Sequence, residues 1–199
     1  MYIFGITGQV GAGKSEIIRY LETAHGARVL LMDLLGHELM AKGAPCYEPI
    51  LALFGADVLL EDGELNRRAI GARAFSDAEL LEKLNGIVHP AVKARVDSLL
   101  EEAMQQGVDF FFMESALLIE EKYDEICDEV WYVYAEESVR RERLKESRGY
   151  SDEKIDLMLH NQLSEEVFRA HASFVIDNNG SPEQFQEQID ARMKQYEIM

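Results

Sequence analysis

Eight consecutive residues, Gly8-Gln9-Val10-Gly11-Ala12-Gly13-Lys14-Ser15, set three glycines, a lysine and a hydroxyl in the pattern G-x-x-x-x-G-K-S. Those residue types at that spacing suit the phosphates of a nucleoside triphosphate. Gly8, Gly11 and Gly13 let the backbone turn so that successive N–H groups point inward as an anion nest, with a helix N-terminus behind them. Lys14 supplies a cation for the β- and γ-phosphates, and the Ser15 hydroxyl is the expected Mg²⁺ ligand. Both flanks agree. Tyr2–Ile6 is a short apolar run suited to a buried strand, and Glu16–Leu21 is an amphipathic run suited to a helix.

Two carboxylates close apolar runs in the same manner. Asp33 follows Arg28–Met32, where it is placed to take a proton from an acceptor hydroxyl or to bind Mg²⁺ through water. The structural alternative is a helix N-cap for the run from Leu34. Glu114 follows Val108–Met113, where an acid tunes the Mg²⁺ shell from behind Ser15; the alternative is a carboxylate at a solvent-facing strand end. Arg140, Arg141, Arg143, Lys145 and Arg148 gather five of the twenty lysines and arginines into nine positions. In folds like the nucleoside monophosphate kinases, a closing lid brings such cations onto the transferring phosphoryl group. The alternative is a solvated helix paired with Glu136, Glu137, Glu142 and Glu146. A second basic group, Arg67, Arg68 and Arg73 with His89, Lys93 and Arg95, suits the phosphates of an acceptor. His25, His37, His160 and His171 have no ligand spacing.

The elements that must position these groups alternate. The spacing predicts strands at Tyr2–Thr7, Arg28–Met32, Val108–Met113, Val130–Tyr134 and Phe174–Ile176. Helices are predicted from the loop to about Thr23, then over Leu34–Ala41, Tyr47–Phe54, Glu136–Glu146 and Ser151–Leu163, and from Ser181-Pro182 to about Tyr196. From Arg67 to Gln106 the pattern is helical, with a break at His89-Pro90 and a capping-box start at Ser76 and Glu79. Strands separated by helices imply an α/β fold: a parallel five-stranded sheet in a three-layer α/β/α arrangement. Ligands gather beyond the carboxyl ends of such strands, where Gly8, Asp33 and Glu114 all fall. The whole chain, 1–199, reads as a single domain. Residues 43–106 read as a helical substrate-binding insertion, and about 138–152 as the lid.

Composition narrows the function. A chain of 199 residues with 47% hydrophobic content has room for one sizeable core. Its formal charge of −17 repels nucleic acid and anionic membranes, which argues against nucleic-acid motors. No apolar run approaches the roughly 18 residues of a membrane span, and no secretion signal is evident. Cys46 and Cys127 lack metal spacing and suit reduced thiols in the cytoplasm.

Taken in order, the motifs resemble the dephospho-CoA kinase family of P-loop NTPase fold. The opening Gly5-Ile6-Thr7-Gly8 through Ser15 is similar to the family's opening. Gly43-Ala44-Pro45, Phe54-Gly55, Asp62–Arg68, Phe75, His89-Pro90 and Val175–Gly180 follow in family order, and Glu114–Glu120 stands where the family has Asp-x-Pro-Leu-Leu-x-Glu. The resemblance runs from residue 1 to about 196. It implies ATP and Mg²⁺ as cofactors, dephospho-CoA as acceptor, and transfer of the γ-phosphoryl to the ribose 3′-hydroxyl. It makes Asp33 the catalytic base and Gly11, Ala12, Gly13, Lys14, Ser15 and Glu16 the phosphate-binding stretch. Arg67, His89 and Leu117 fall in the substrate region, and Arg140, Arg143 and Arg148 in the lid, with Asn178 and the lid as candidates for the adenine. The chain departs from the family pattern at Glu16, Leu31, Ala116, Arg140, Ser147 and Ser173, none of which removes the phosphate cradle or Asp33. Two other readings remain at this point: a kinase for another small hydroxyl acceptor, such as a nucleoside, a monophosphate or a sugar acid, and a nucleotide-sensing module with little turnover.

Overall fold

Apolar runs without polar alternation need cover on both faces, and three such runs form the centre of the sheet. The computed structural model describes residues 1–197. Strands β1 (Tyr2–Thr7), β2 (Arg28–Leu31), β3 (Phe110–Glu114), β4 (Glu129–Tyr134) and β5 (Phe174–Asp177) make one parallel sheet in the order β2-β3-β1-β4-β5. β1 is central. Its Phe4 lies opposite Phe112 of β3, and its Thr7 opposite Tyr132 of β4. The pleat sends Trp131 and Tyr132 to opposite faces. On one face Phe4, Phe112 and Trp131 form a ring cluster with centroids 4.7 to 5.2 Å apart. On the other, Tyr132 stacks on Phe168 at 5.1 Å.

The chain divides into two compact units, one of Met1–Leu30 with the chain from Gly107 onward, the other Leu31–Gln106. In the first, α1 (Lys14–His25) buries Ile17, Ile18 and Leu21 and ends on Gly26 in the left-handed conformation. After β4 come α6 (Glu137–Arg148), α7 (Asp152–His160) and α8 (Glu165–His171), and after β5 comes α9 (Pro182–Glu197). Pro182 opens α9, where a missing N–H costs nothing. The aromatics of β3 and β4 are sheet core, as their apolar setting implies.

The second unit holds α2 (Met32–Leu39), α3 (Tyr47–Phe54), a short 3-10 turn at Ala56–Val58, α4 (Arg67–Phe75) and α5 (Ala78–Gln105). The shorter helices α2, α3 and α4 all pack against α5. The expected break at His89-Pro90 does not occur: α5 runs unbroken for 28 residues with Pro90 inside it. Proline removes one bond to the carbonyl four residues back, a loss of about 3 kcal/mol in a helix interior. Here that carbonyl belongs to Gly86, and both Gly86 and Pro90 are exposed, which leaves it in reach of solvent. Tertiary burial of Val92, Val96 and Ala103 then holds the helix together. The cap is also different from the expected one. Asp77, not Ser76, accepts from the Glu79 and Leu80 amides, and Ser76 closes α4 instead.

Two more boundaries moved. β2 stops at Leu31, so Asp33 sits in the first turn of α2. α8 was not expected, because the pattern from Ser151 read as one helix to Leu163; Ser164 caps the new helix by accepting from the Val167 amide.

One ion pair ties α9 to the sheet. Arg192 Nε donates to Glu129 Oε2 at 3.1 Å, its Nη2 donates to Oε1, and Trp131 Nε1 donates to Oε2 at 2.9 Å. Burial by itself would raise the Glu129 pKa, but the bonds from Arg192, Tyr196 and Trp131 outweigh it and hold the group below its ordinary 4.5. A depressed folded pKa means that the stabilisation is present above the unfolded value and lost as pH falls through the folded one. Glu129→Gln is therefore expected to cost about 2 kcal/mol at neutral pH. Thermal melts should show the gap to wild type narrowing below pH 4.5.

Candidate active site

The glycine-rich loop leaves the end of β1, the middle strand. Gly13 adopts φ +91°, and a Cβ there would collide with Nδ2 of Asn178. That amide is not idle: it donates to the Ala12 carbonyl at 2.8 Å. Gly11, at φ +80°, passes so near α6 that a Cβ would meet the Arg140 carbonyl at 2.8 Å. Glycine at these positions lets the loop press onto the chain behind it. Gly13→Ala is expected to weaken ATP binding at least ~10-fold and to cost about 1–3 kcal/mol of stability. Titration with a fluorescent ATP analogue and a thermal melt measure the two effects.

Lys14 opens α1, and its Nζ donates to the Gly8 carbonyl at 2.8 Å. The ammonium thus folds back over the loop. It lies 3.9 Å from Oε1 of Glu114, and both side chains are about 15% exposed (15% and 14%). The register explains this approach: Glu114 ends β3 directly opposite Ile6 of β1. Ser15 follows Lys14 in the first turn of α1, and both Ser15 and Glu16 are exposed. Ser15 and Glu114 present hard oxygen donors on neighbouring elements, which suits Mg²⁺, an ion that takes one or two protein ligands and otherwise phosphate and water. Among the described residues no group of three or more acidic, His or Cys side chains is arranged to cage a metal.

The cations of α6 separate into different settings. Arg143 reaches the loop, its Nη1 donating to Ala12 O at 3.4 Å and its Nη2 to Asn178 O at 2.9 Å. Arg140, expected on a lid, is instead turned inward and 5% exposed. Its Nε donates to Ala135 O at 3.0 Å, while Nη1 is buried with no hydrogen-bond partner. Burial pushes the Arg140 pKa down, opposed by the nearby Tyr132, Glu137, Glu165 and Tyr134. Arg141 pairs with Glu137 at 2.7 Å and Asp156 at 2.5 Å, and Lys145 with Asp152 at 2.7 Å. These two serve as helix-surface pairs. Arg148, at the exposed end of α6, lies 5.9 Å from the Tyr150 ring.

The other expected residues lie as follows. Leu117 is 50% exposed in the turn after β3, where its N–H donates to Ser115 Oγ at 3.0 Å. In the second unit, Asp33 is exposed in the first turn of α2 and is not the N-cap, which is Leu31. Arg67 begins α4 and His89 lies midway along α5; both are exposed, on helices that pack together. Sequence reasoning passed over Gln9, Gln162 and the structural role of Asn178. Only Asn178 carried a local signal, the Asp-Asn-Asn-Gly turn after β5.

A phosphate-binding loop springing from the middle strand of a five-stranded parallel sheet, with helices on both faces, is the architecture of the P-loop kinases. Comparison with known proteins sharpens the class. The dephospho-CoA kinase family model matches residues 2–184, and the chain belongs to that family. The dephospho-CoA kinase of Geobacter sulfurreducens is 35% identical over 190 residues, spanning 96% of each chain. Among solved structures, TT1252 from Thermus thermophilus superposes with a TM-score of 0.84 at 30% identity, covering 98% of this chain and 97% of that one. Dephospho-CoA kinase from Campylobacter jejuni shares the fold, with a TM-score of 0.71 at 22% identity over 96% of this chain and 95% of that one.

Proposed function

We propose that the protein is an ATP-dependent kinase that phosphorylates the ribose 3′-hydroxyl of dephospho-CoA, giving coenzyme A and ADP. The observation that carries this reading is the family match over residues 2–184, joined to an intact phosphate loop. The amides of Gly11 to Glu16 receive the β- and γ-phosphates. Lys14, drawn over the loop by Gly8 O, offsets charge gathering on the β–γ bridging oxygen as that bond breaks. Ser15 would hold a Mg²⁺ ion and Glu114 would act through its water shell; the ion would supply charge neutralisation for the phosphates.

Asp33 orients the acceptor hydroxyl and takes its proton as the oxygen attacks the γ-phosphorus. An exposed carboxylate in a first helical turn is open to such a substrate. Arg67 and His89 hold the acceptor's phosphates, and Leu117 packs against its apolar portion. Of the lid cations, Arg148 is the one at an exposed helix end and is assigned to the transferring phosphoryl group. Arg143 acts on the loop backbone. Arg140 contributes a fixed buried charge behind Gly11. Transfer of this kind needs positioning and electrostatics more than covalent chemistry. Among the described residues no helix is long and apolar enough to cross a membrane. A small-molecule kinase that draws on ATP is assigned to the cytoplasm.

The test is ADP release by purified protein with Mg²⁺-ATP and a panel of acceptors. Stimulation by dephospho-CoA above a nucleoside, a nucleoside monophosphate and a sugar acid is expected. Stimulation by one of the others, and none by dephospho-CoA, would overturn the assignment.

A further inference from the structure

The phosphate loop is gripped at both ends by one pair of helices. At its leading end the Val10 N–H donates to Oε1 of Gln162 at 3.0 Å, and Gln9 Nε2 donates to the Leu163 carbonyl at 3.4 Å. The buried Tyr132 hydroxyl donates to Gln9 Oε1 at 3.4 Å from the sheet below. At its trailing end Ala12 O accepts from Arg143 of α6. Gln162 lies just beyond the end of α7, and α7 is joined to α6 by Arg141–Asp156 and Lys145–Asp152. A contact chain therefore runs from Val10 through Gln162, α7 and α6 back to Ala12.

Backbone N–H groups in such a loop make up the nest that receives phosphate, and its shape depends on how each peptide plane is turned. The Val10 peptide is turned by a side-chain oxygen more than 150 residues away (|i−j| = 152). We propose that Gln162 is a positioning residue for phosphoryl transfer: its amide oxygen sets the Val10 peptide, and through it the loop that holds the γ-phosphate. The proposal rests on the kinase reading above. A primary amide suits the task because its oxygen accepts an N–H without placing a negative charge beside a polyphosphate. A glutamate would accept equally well and repel the nucleotide. A leucine would fill the same space and leave the N–H without its partner.

Two variants and two readouts test this. Amide hydrogen exchange without nucleotide reports the contact itself. Val10 is expected to be protected in wild type and in Gln162→Glu, and to lose protection in Gln162→Leu. Steady-state kinetics report the consequence. Gln162→Leu is expected to lower kcat on the order of 10-fold while KM for dephospho-CoA stays within about twofold. Gln162→Glu is expected to raise KM for ATP. A Val10 amide that exchanges freely in wild type overturns the contact. Lost protection with unchanged kcat overturns the positioning role alone. A wild-type protein with no dephospho-CoA-dependent turnover overturns the kinase reading, and with it any role in transfer, even where the exchange pattern is as expected. If Gln162→Leu does not fold, wild-type exchange and Gln162→Glu kinetics decide.

Discussion

Asp33→Asn is expected to lower kcat by about 10²–10⁴ while the ATP dissociation constant stays within about twofold. The substitution keeps shape and volume but removes the basic oxygen that would take the acceptor's proton. Asp33 is exposed and is not a helix cap, so no structural duty of capping is lost with it. Melting temperature should accordingly hold. Stopped-flow ADP release and isothermal titration with a non-hydrolysable ATP analogue measure the two quantities. Unchanged turnover would remove Asp33 from the chemistry, whereas a parallel loss of ATP affinity would give it a binding role instead.

Lys14→Met should be comparably damaging, but with a different signature. The ammonium is bonded to Gly8 O and lies beside Glu114. Its removal takes away the charge that meets the β- and γ-phosphates and leaves Glu114 facing them without that neighbour. A fall in kcat/KM on the order of 10³ is expected, with ATP affinity down about 10-fold. Binding and catalysis thus fail together here, while Asp33→Asn separates them. A Lys14→Met protein that binds ATP normally would show that the lysine serves the loop's shape and not the phosphates.

Much of this site was legible because its chemistry is local. The loop's residue types stand at fixed positions beside an apolar strand and an amphipathic helix, so it could be placed before any fold was known. Glu114 was legible for a related reason. A strand buried on both faces reads as an unbroken apolar run, and the first charge after it marks the strand's end. What escaped depends on contacts distant in sequence. Nothing in the run Arg140 to Arg148 tells which arginine turns inward, since that follows from how α6 meets Ala135 and Gly11. Nothing local distinguishes Gln162, whose partner Val10 lies at the other end of the chain. Pro90 misled because its cost is local and the packing that outweighs it is not. The boundary at Asp33 slipped because Met32, apolar enough for a strand, is buried as the first residue of α2.

Phosphorus NMR of the products formed from Mg²⁺-ATP and dephospho-CoA tests the account most directly. Purified protein should yield ADP and a new phosphomonoester on the ribose 3′-oxygen in equal amounts, and neither should form with Asp33→Asn on the same time scale. ADP appearing with inorganic phosphate and no 3′-ester, or a phosphoryl group on a different oxygen, would contradict it.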